Sequence, residues 1–211
     1  GRLVGRITID DIVDVIREEA DKDYQMAAGI SQDVEVSDSI WILTRARLPW
    51  LILGLLGGLG AAAIMGTFED MISKHAILFF FTPLIAAMAG NVGVQSSAIV
   101  VQGLANDDLK GSVRNHLLKE MLLALLNGLI LAILLLFFTW VWKGTFATAL
   151  AISLSLIVVI VVAGFIGTFV PLFLHKRNID PAIATGPFIT TSNDIFGILI
   201  YFSIAKIILG I

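Results

Sequence analysis

Asp194 is the only charged side chain in the apolar run PAIATGPFITTSNDIFGILIYFSIA, from Pro181 to Ala205. A carboxylate near the middle of a bilayer costs about 2.5–3.5 kcal/mol on insertion scales, so such groups face a bundle interior or an aqueous path. Thr185, Gly186, Pro187, Thr190, Thr191, Ser192, Asn193 and Gly197 surround it. Thr190, Asp194, Gly197 and Tyr201 repeat at helical spacing, giving one polar side bounded by Ile198, Leu199 and Ile200. Pro187 lacks an amide proton and is expected to free carbonyls one turn earlier. Freed carbonyls at membrane depth are tolerated where they line a cavity. A second polar set is Gly90-Asn91-Val92-Gly93-Val94-Gln95-Ser96-Ser97. Asn91 and Gln95 are four apart and share a helix face, with Gly90 and Gly93 close to it.

These donors are all hard oxygens: a carboxylate, amides, hydroxyls and main-chain carbonyls. There is no Cys, and His75, His116 and His175 all lie outside span interiors, which suits Mg²⁺, Ca²⁺ or Mn²⁺ rather than zinc or copper. Mg²⁺ keeps several waters and needs only one or two carboxylates. Two copies related by a two-fold axis would set two Asp194 groups around one path, matching a divalent charge. Bland readings stay open beside this one. Asp194 as a neutral hydrogen-bond partner of Asn91, Gln95 or a Thr hydroxyl is one. A small-residue packing seam at Gly90 and Gly93 is the other. Glu69 and Asp70 either attract cations at an outer mouth or belong to a solvated loop. Lys119 and Glu120 read as interfacial anchors, and Asn127 as interhelical glue. Asp180-Pro181 reads as an N-cap followed by N1, and Asp107 and Asp108 as loop or capping residues.

The elements that must hold these groups are membrane spans. The 211 residues are 57% hydrophobic and 15% charged, with a mean hydropathy of +0.93; soluble domains carry roughly 25% charge. Five spans near the ~20 residues needed for a crossing run about Leu48–Thr67, His75–Leu104, Leu117–Trp142, Thr145–Leu174 and Ala182–Ile211. The fold class is an all-α integral membrane protein. Residues 1–40 are polar and acidic, with a helix expected from about Asp10 to Ala28. The opening GRLVGRITID has no initiating Met and no signal pattern, and reads as the end of a soluble domain.

Lys110, Arg114 and Lys119 follow span two, and Lys176 and Arg177 follow span four, while Arg45 and Arg47 precede span one. The opposite loops hold only Lys74, beside Glu69 and Asp70, and Lys143. The positive-inside rule therefore sets the N-terminus in the cytoplasm and the C-terminus outside. No basic stripe suggests nucleic acid, no GxxxxGK[ST] suggests ATP-driven transport by this chain, and no nucleophile–base pair or His cluster suggests an enzyme. The membrane potential itself supplies about 2.3 kcal/mol per charge per 100 mV.

Two motifs carry a family resemblance. Pro83 followed by Gly90-Asn91-x-Gly93-x-Gln95-Ser96, and Pro187 followed by Asn193-Asp194-x-x-Gly197-x-x-Ile200-Tyr201, resemble the MgtE family of Mg²⁺ channels from about Trp41 onward. The resemblance implies a homodimer with the pore at its two-fold axis between spans two and five. It assigns binding of hydrated Mg²⁺ to Asp194. It implies pore lining by Gly90, Asn91, Gly93, Gln95, Gly186, Pro187, Thr190, Asn193 and Gly197. Residues 1–11, with Thr8-x-x-Asp11, resemble the closing strand-turn-helix of a CBS domain. The organisation expected is therefore a CBS remnant over 1–20, a connecting or plug region over 21–47 and a pore domain over 48–211. In the family a cytosolic Mg²⁺-sensing region precedes the pore domain; most of it lies outside these residues.

The function expected is potential-driven Mg²⁺ uptake across a bacterial plasma membrane, with Mn²⁺, Co²⁺ and Ca²⁺ as competing ions. Two rivals are a secondary divalent-cation carrier and a structural membrane subunit with a neutral Asp194.

Overall fold

A computed structural model describes residues 2, 4–106, 112–142 and 145–210, with only the main chain of Ala184. Asp107, Asp108, Lys110 and Lys143 lie outside the described residues. All regular structure among the described residues is helical: α1 (Ile9–Ala27), α2 (Ile40–Gly66), α3 (Glu69–Lys74), α4 (Ile77–Ala105), α5 (Val113–Trp142), α6 (Phe146–Lys176), a 3₁₀ turn (Pro181–Ala184) and α7 (Pro187–Leu209). Five of these, α2 and α4 to α7, are long and apolar enough to cross a membrane. Apolar side chains also cover faces turned away from the bundle, as in Leu122, Leu126, Ile133 and Phe137 exposed on α5. That pattern suits helices solvated by lipid.

Without a hydrophobic drive between helices in lipid, close backbone approach decides which helices pair. α6 is the hub: 56% of its span is buried, against 11% for α2. It packs against α4, α5 and α7, while α2 packs chiefly on α7. Glycines mark the crossings. A Cβ on Gly167 of α6 would collide with the Gly93 carbonyl oxygen of α4, and one on Gly57 of α2 with Thr191 of α7. Gly128 of α5 lets the Ile157 backbone of α6 come within 3.4 Å of its Cβ position. At the end far from α1, Tyr201 and Phe202 are fully buried. Tyr201 donates its hydroxyl proton to the Leu78 carbonyl at 3.0 Å, and Phe68 stacks on Phe202 with centroids 5.4 Å apart.

Three span starts differ from those expected. Span three begins at Val113, not Leu117. Span five starts at Pro187, not Ala182. Asp180 accepts from the Ala182 amide at 2.9 Å, so it caps the short 3₁₀ turn as expected. The chain then breaks at Gly186, whose φ of 54° is left-handed. Pro187 begins α7 at its first turn, where its missing N–H costs nothing. No carbonyl inside the span is freed. The Gly186 carbonyl instead accepts from the Thr190 amide at 3.0 Å. Span one starts earlier than Leu48, at Ile40, and continues through Pro49. Pro83 and Pro171 likewise lie inside α4 and α6.

α1 forms because Thr8 and Asp11 make a reciprocal cap, with the Thr8 amide donating to Asp11 at 2.7 Å and the Asp11 amide to the Thr8 hydroxyl at 3.4 Å. The hydrogen bonds from Thr8 hold the Asp11 carboxyl below its usual range. No residue of α1 is buried.

Candidate functional site

Asp194 lies two turns into α7 and is half-buried. It lines an open cleft of about 790 Å³ bounded by α2, the start of α7 and the turn after α1. Thr190, Thr191, Gly186 and Pro187 line it from α7; Arg47, Trp50 and Gly54 line it from α2. Asp194 makes no hydrogen bond and no ion pair among the described residues. The partners that the structural alternative would give it, Asn91, Gln95 and the threonine hydroxyls, are otherwise placed. Thr190 donates its hydroxyl to the Gly186 carbonyl at 3.2 Å and to the Pro187 carbonyl at 3.1 Å. Its own oxygen lone pairs, and the carboxylate one turn on, remain available on the cleft side.

Gly90 is buried on α4 behind this pair. A Cβ there would lie 3.5 Å from Thr190 Cγ2 and 3.7 Å from Asp194 Oδ1, so α4 shows Asp194 bare backbone. Gly93, Gly197 and Asn193 lie in the seam that α7 makes with α4 and α6. Asn193 is buried between α4 and α7, where Nδ2 donates to the Ala89 carbonyl at 3.3 Å. Its Oδ1 has no hydrogen-bond partner among the described residues. Gly93 makes room for that amide, and Ile189 Cγ2 lies 2.7 Å from where its Cβ would stand. Gly197 faces Ala89 at 3.1 Å and Val159 at 3.5 Å by the same measure. Position decides this split: Ile189, Asn193 and Gly197 follow one another at i, i+4 on the face turned to α4 and α6, and Thr190 and Asp194 lie one residue round.

Asn91 and Gln95 do share a face, as expected, and it is exposed: Pro83, Ala87, Asn91 and Gln95 form an open stripe along α4. The stripe is not part of the Asp194 cleft. Asn127, expected as interhelical glue, is exposed on α5 and bonds to no other helix among the described residues. Glu69 and Asp70 open α3 as exposed residues, at the other end of the bundle. Lys119 is exposed, in keeping with an anchor, but Glu120 turns inward and accepts the Ser96 hydroxyl at 2.5 Å. No group of three or more His, Asp or Glu gathers into a metal-holding cluster among the described residues.

One side of the cleft comes from the region 21–47, expected as a connector or plug, within which the sequence did not single out the turn at Gly29. Ala27, Ala28, Gly29 and Ile30 close that side. Gly29 has φ 80°, and a Cβ there would strike the Pro187 ring; a Cβ on Gly186 would strike the Ala27 carbonyl oxygen. Two left-handed glycines thus let the main chains of α1 and α7 meet. The turn is pinned by Ser31, whose amide donates to the Ala46 carbonyl of α2 at 3.0 Å. Gln25 adds bonds to the Val34 carbonyl and amide at 3.0 and 3.1 Å. The signal for it was a glycine directly after an expected helix, a common C-terminal stop. Above this turn, Asp23 of α1 approaches the 3₁₀ turn. Partial desolvation of this exposed side chain first, then the charges of Asp180 and Glu19, push its carboxyl up, with Lys22 opposing.

A cleft with one unpaired carboxylate, hydroxyls and carbonyls is suited to a hard, partly hydrated cation. Comparison with known proteins is consistent with this chemistry. A family model described as MgtE, divalent cation transporter, matches residues 82–204. The chain is 38% identical to "Magnesium transporter MgtE" of Bacillus subtilis over 204 residues, 96% of this chain and 45% of that protein. The protein of the same description from Enterococcus faecalis is 38% identical over 205 residues, 97% of this chain and 45% of its own length. That of Thermus thermophilus is 33% identical over 215 residues, 99% of this chain and 47% of its own length. The chain spans about half the length of the curated relatives it matches. With the polar stretches of α4 and α7, residues 90–97 and 190–197, inside the matched region, the chain belongs to the MgtE family of divalent cation transporters.

Proposed function

We propose that this chain forms the membrane pore of a Mg²⁺ channel and that Asp194 binds the hydrated ion on its way through. The observation that carries the reading is the state of Asp194: half-buried at membrane depth, unpaired, in a cleft shared with Thr190 and bordered by bare backbone at Gly90. A structural acid would be expected to hold a partner, because an unpaired charge away from water is costly. The relatives named as magnesium transporters favour Mg²⁺ over Mn²⁺, Co²⁺ or Ca²⁺.

The functional unit is a homodimer. Asn91 and Gln95 are exposed on a helix long and apolar enough to span, and amides at that depth call for water or another chain. A two-fold axis along the Pro83–Gln95 stripe and the Asp194 cleft supplies both, and pairs two carboxylates against one divalent ion. The protein resides in the plasma membrane with α1 in the cytoplasm, as the Lys and Arg distribution favours. The turn at Gly29 acts as a plug at the inner end of the pathway.

The deciding experiment is flux into liposomes under a set potential, comparing wild type with Asp194→Asn and Asp194→Ala. Both variants are expected to remain folded and to lose most Mg²⁺ flux or its preference over Ca²⁺. Unchanged flux and selectivity in both would overturn the assignment.

A further inference from the structure

We propose that Glu120 is a positioning residue that holds α4 in the rotation that presents Gly90 to Asp194 and Asn91 and Gln95 to the open side. The functional consequence rests on the pore reading above; the placement does not.

Glu120 lies about 10 Å along α5 from its start at Val113, at the 1.5 Å rise of a helix. An anchor at that position would extend toward headgroups, as exposed Lys119 does. Glu120 instead points between α4 and α6. Its Oε1 accepts the hydroxyl of Ser96, which is 3% exposed, at 2.5 Å, at the short end for an O–H···O bond. The same oxygen lies 3.4 Å from the Cβ position of Gly164, so the absence of a side chain on α6 leaves it space.

The need for such a bond follows from how α4 is held. Its crossing with α6 is Gly93 against Gly167, main chain on main chain. That contact fixes distance, and the α4 side chains of the apolar core, Leu78, Phe81, Ile85 and Ala89, all precede it, which leaves the stretch from Ser96 onward without their hold. Nor does α5 clasp α4 directly: both pack on α6. Between them lies an apolar crevice of about 370 Å³, lined by Leu84, Met88, Leu134, Phe138 and Leu156 among others. The two helices meet across it at its ends. One end is the Ser96–Glu120 bond; the other is Phe81 edge-on to Trp142, with centroids 6.2 Å apart. Ser96 stands three residues beyond the Gly93 crossing and six beyond Gly90. A rotation that breaks its bond therefore turns Gly90 away from Asp194 and moves the Asn91–Gln95 face.

The protein has no cysteine, so a single reporter Asn91→Cys can be labelled cleanly with a water-soluble thiol reagent. The reporter is combined with Ser96→Ala, Glu120→Ala, Glu120→Gln and the Ser96→Ala/Glu120→Ala pair, in membranes. Glu120→Gln retains an oxygen to accept the serine hydroxyl. Ser96→Ala and Glu120→Ala are expected to change the labelling rate several-fold and alike, the double variant no more than either, and Glu120→Gln to label as the parent does. Additive effects, or Glu120→Gln behaving as Glu120→Ala, would overturn the proposal, the second because charge and not the bond would then matter. A Ser96→Ala rate equal to the parent's would overturn it too. Ser96→Ala loses one oxygen atom from a site that stays packed, so it serves if Glu120→Ala fails to fold. Half-saturating Mg²⁺ concentration, measured on the same set without the reporter and beside Asp194→Asn, separates the two claims. It rises several-fold in Ser96→Ala if both hold. If labelling shifts while Mg²⁺ transport is insensitive to Asp194→Asn, the pore reading has failed and the positioning role stands.

Discussion

Gly167 and Gly58 are the same residue type in equally apolar helices, yet their substitution by alanine should have opposite signs. On Gly167 a methyl group meets the Gly93 carbonyl oxygen, with Gly93 Cα and Ser96 Cβ each 3.0 Å away. Main chain on the opposing side cannot swing aside, so α4 and α6 must separate. Gly167→Ala is expected to cost about 1–3 kcal/mol as an overpacked contact. Gly58 meets nothing within 4 Å, and Gly58→Ala should stabilise α2 by roughly 0.5–1 kcal/mol through backbone entropy. Thermal unfolding of the two variants in detergent checks both signs. The five glycines of span one (Gly54, Gly57, Gly58, Gly60 and Gly66) look equivalent in the sequence for the same reason: facing is a tertiary property. Gly57 alone of them admits Thr191 side-chain atoms closely, and nothing in the local pattern marks it. Asp194 was legible because one charge in an apolar run is unmistakable. Glu120 was not, because its neighbour Lys119 suggested an anchor, and only the position of Ser96 on another helix reveals which way it turns.

At the scale of elements, helix existence was readable and helix limits were not. Five apolar runs gave five helices. Pro181 and Pro187, however, both sit where a helix could begin, and the choice falls to the left-handed backbone at Gly186. Two acids on α1 give the element a testable response to pH. Asp23 is pushed up by partial desolvation and by Asp180 and Glu19. A carboxyl raised on folding binds its proton more tightly in the folded state, so its contribution weakens docking as pH rises from the ordinary value near 3.9 through the raised one. Asp11 is held down by Thr8, so its cap is intact above the ordinary value and is lost as pH falls through the lowered one. Hydrogen exchange resolved along α1 should therefore show the last turn better protected on mild acidification, and the first turn less protected only at stronger acidity. Asp23→Asn is expected to remove the first response and fix the last turn in its protected state. A first-turn response at mild acidity, or no effect of Asp23→Asn, would contradict the assignment.

For the whole molecule, the exposed α4 stripe sets a test of assembly. Ala87 lies on it between Pro83 and Asn91, whereas Ile133 is exposed on α5 among leucines. If two copies meet along α4, Ala87→Cys should form an intermolecular disulfide on mild oxidation in native membranes, and Ile133→Cys should not. Non-reducing electrophoresis reads the difference, and the reverse pattern would move the axis to α5. The sequence offered the polar groups for this face but not their division. Gly93, Asn193 and Gly197 went to the seam between α4, α6 and α7, while Asn91 and Gln95 stayed outside it, because a modest difference in helical phase separates lining from packing.

That side of the cleft is closed by main chain and a proline ring: Gly29 against the Pro187 ring, and Gly186 against the carbonyl of Ala27. Such a seal has no titrating, oxidisable or phosphorylatable atom in it. Chemistry acting on nearby side chains can bias its position but cannot dissolve it, so parting the two surfaces requires a displacement of the turn after α1 against the start of α7.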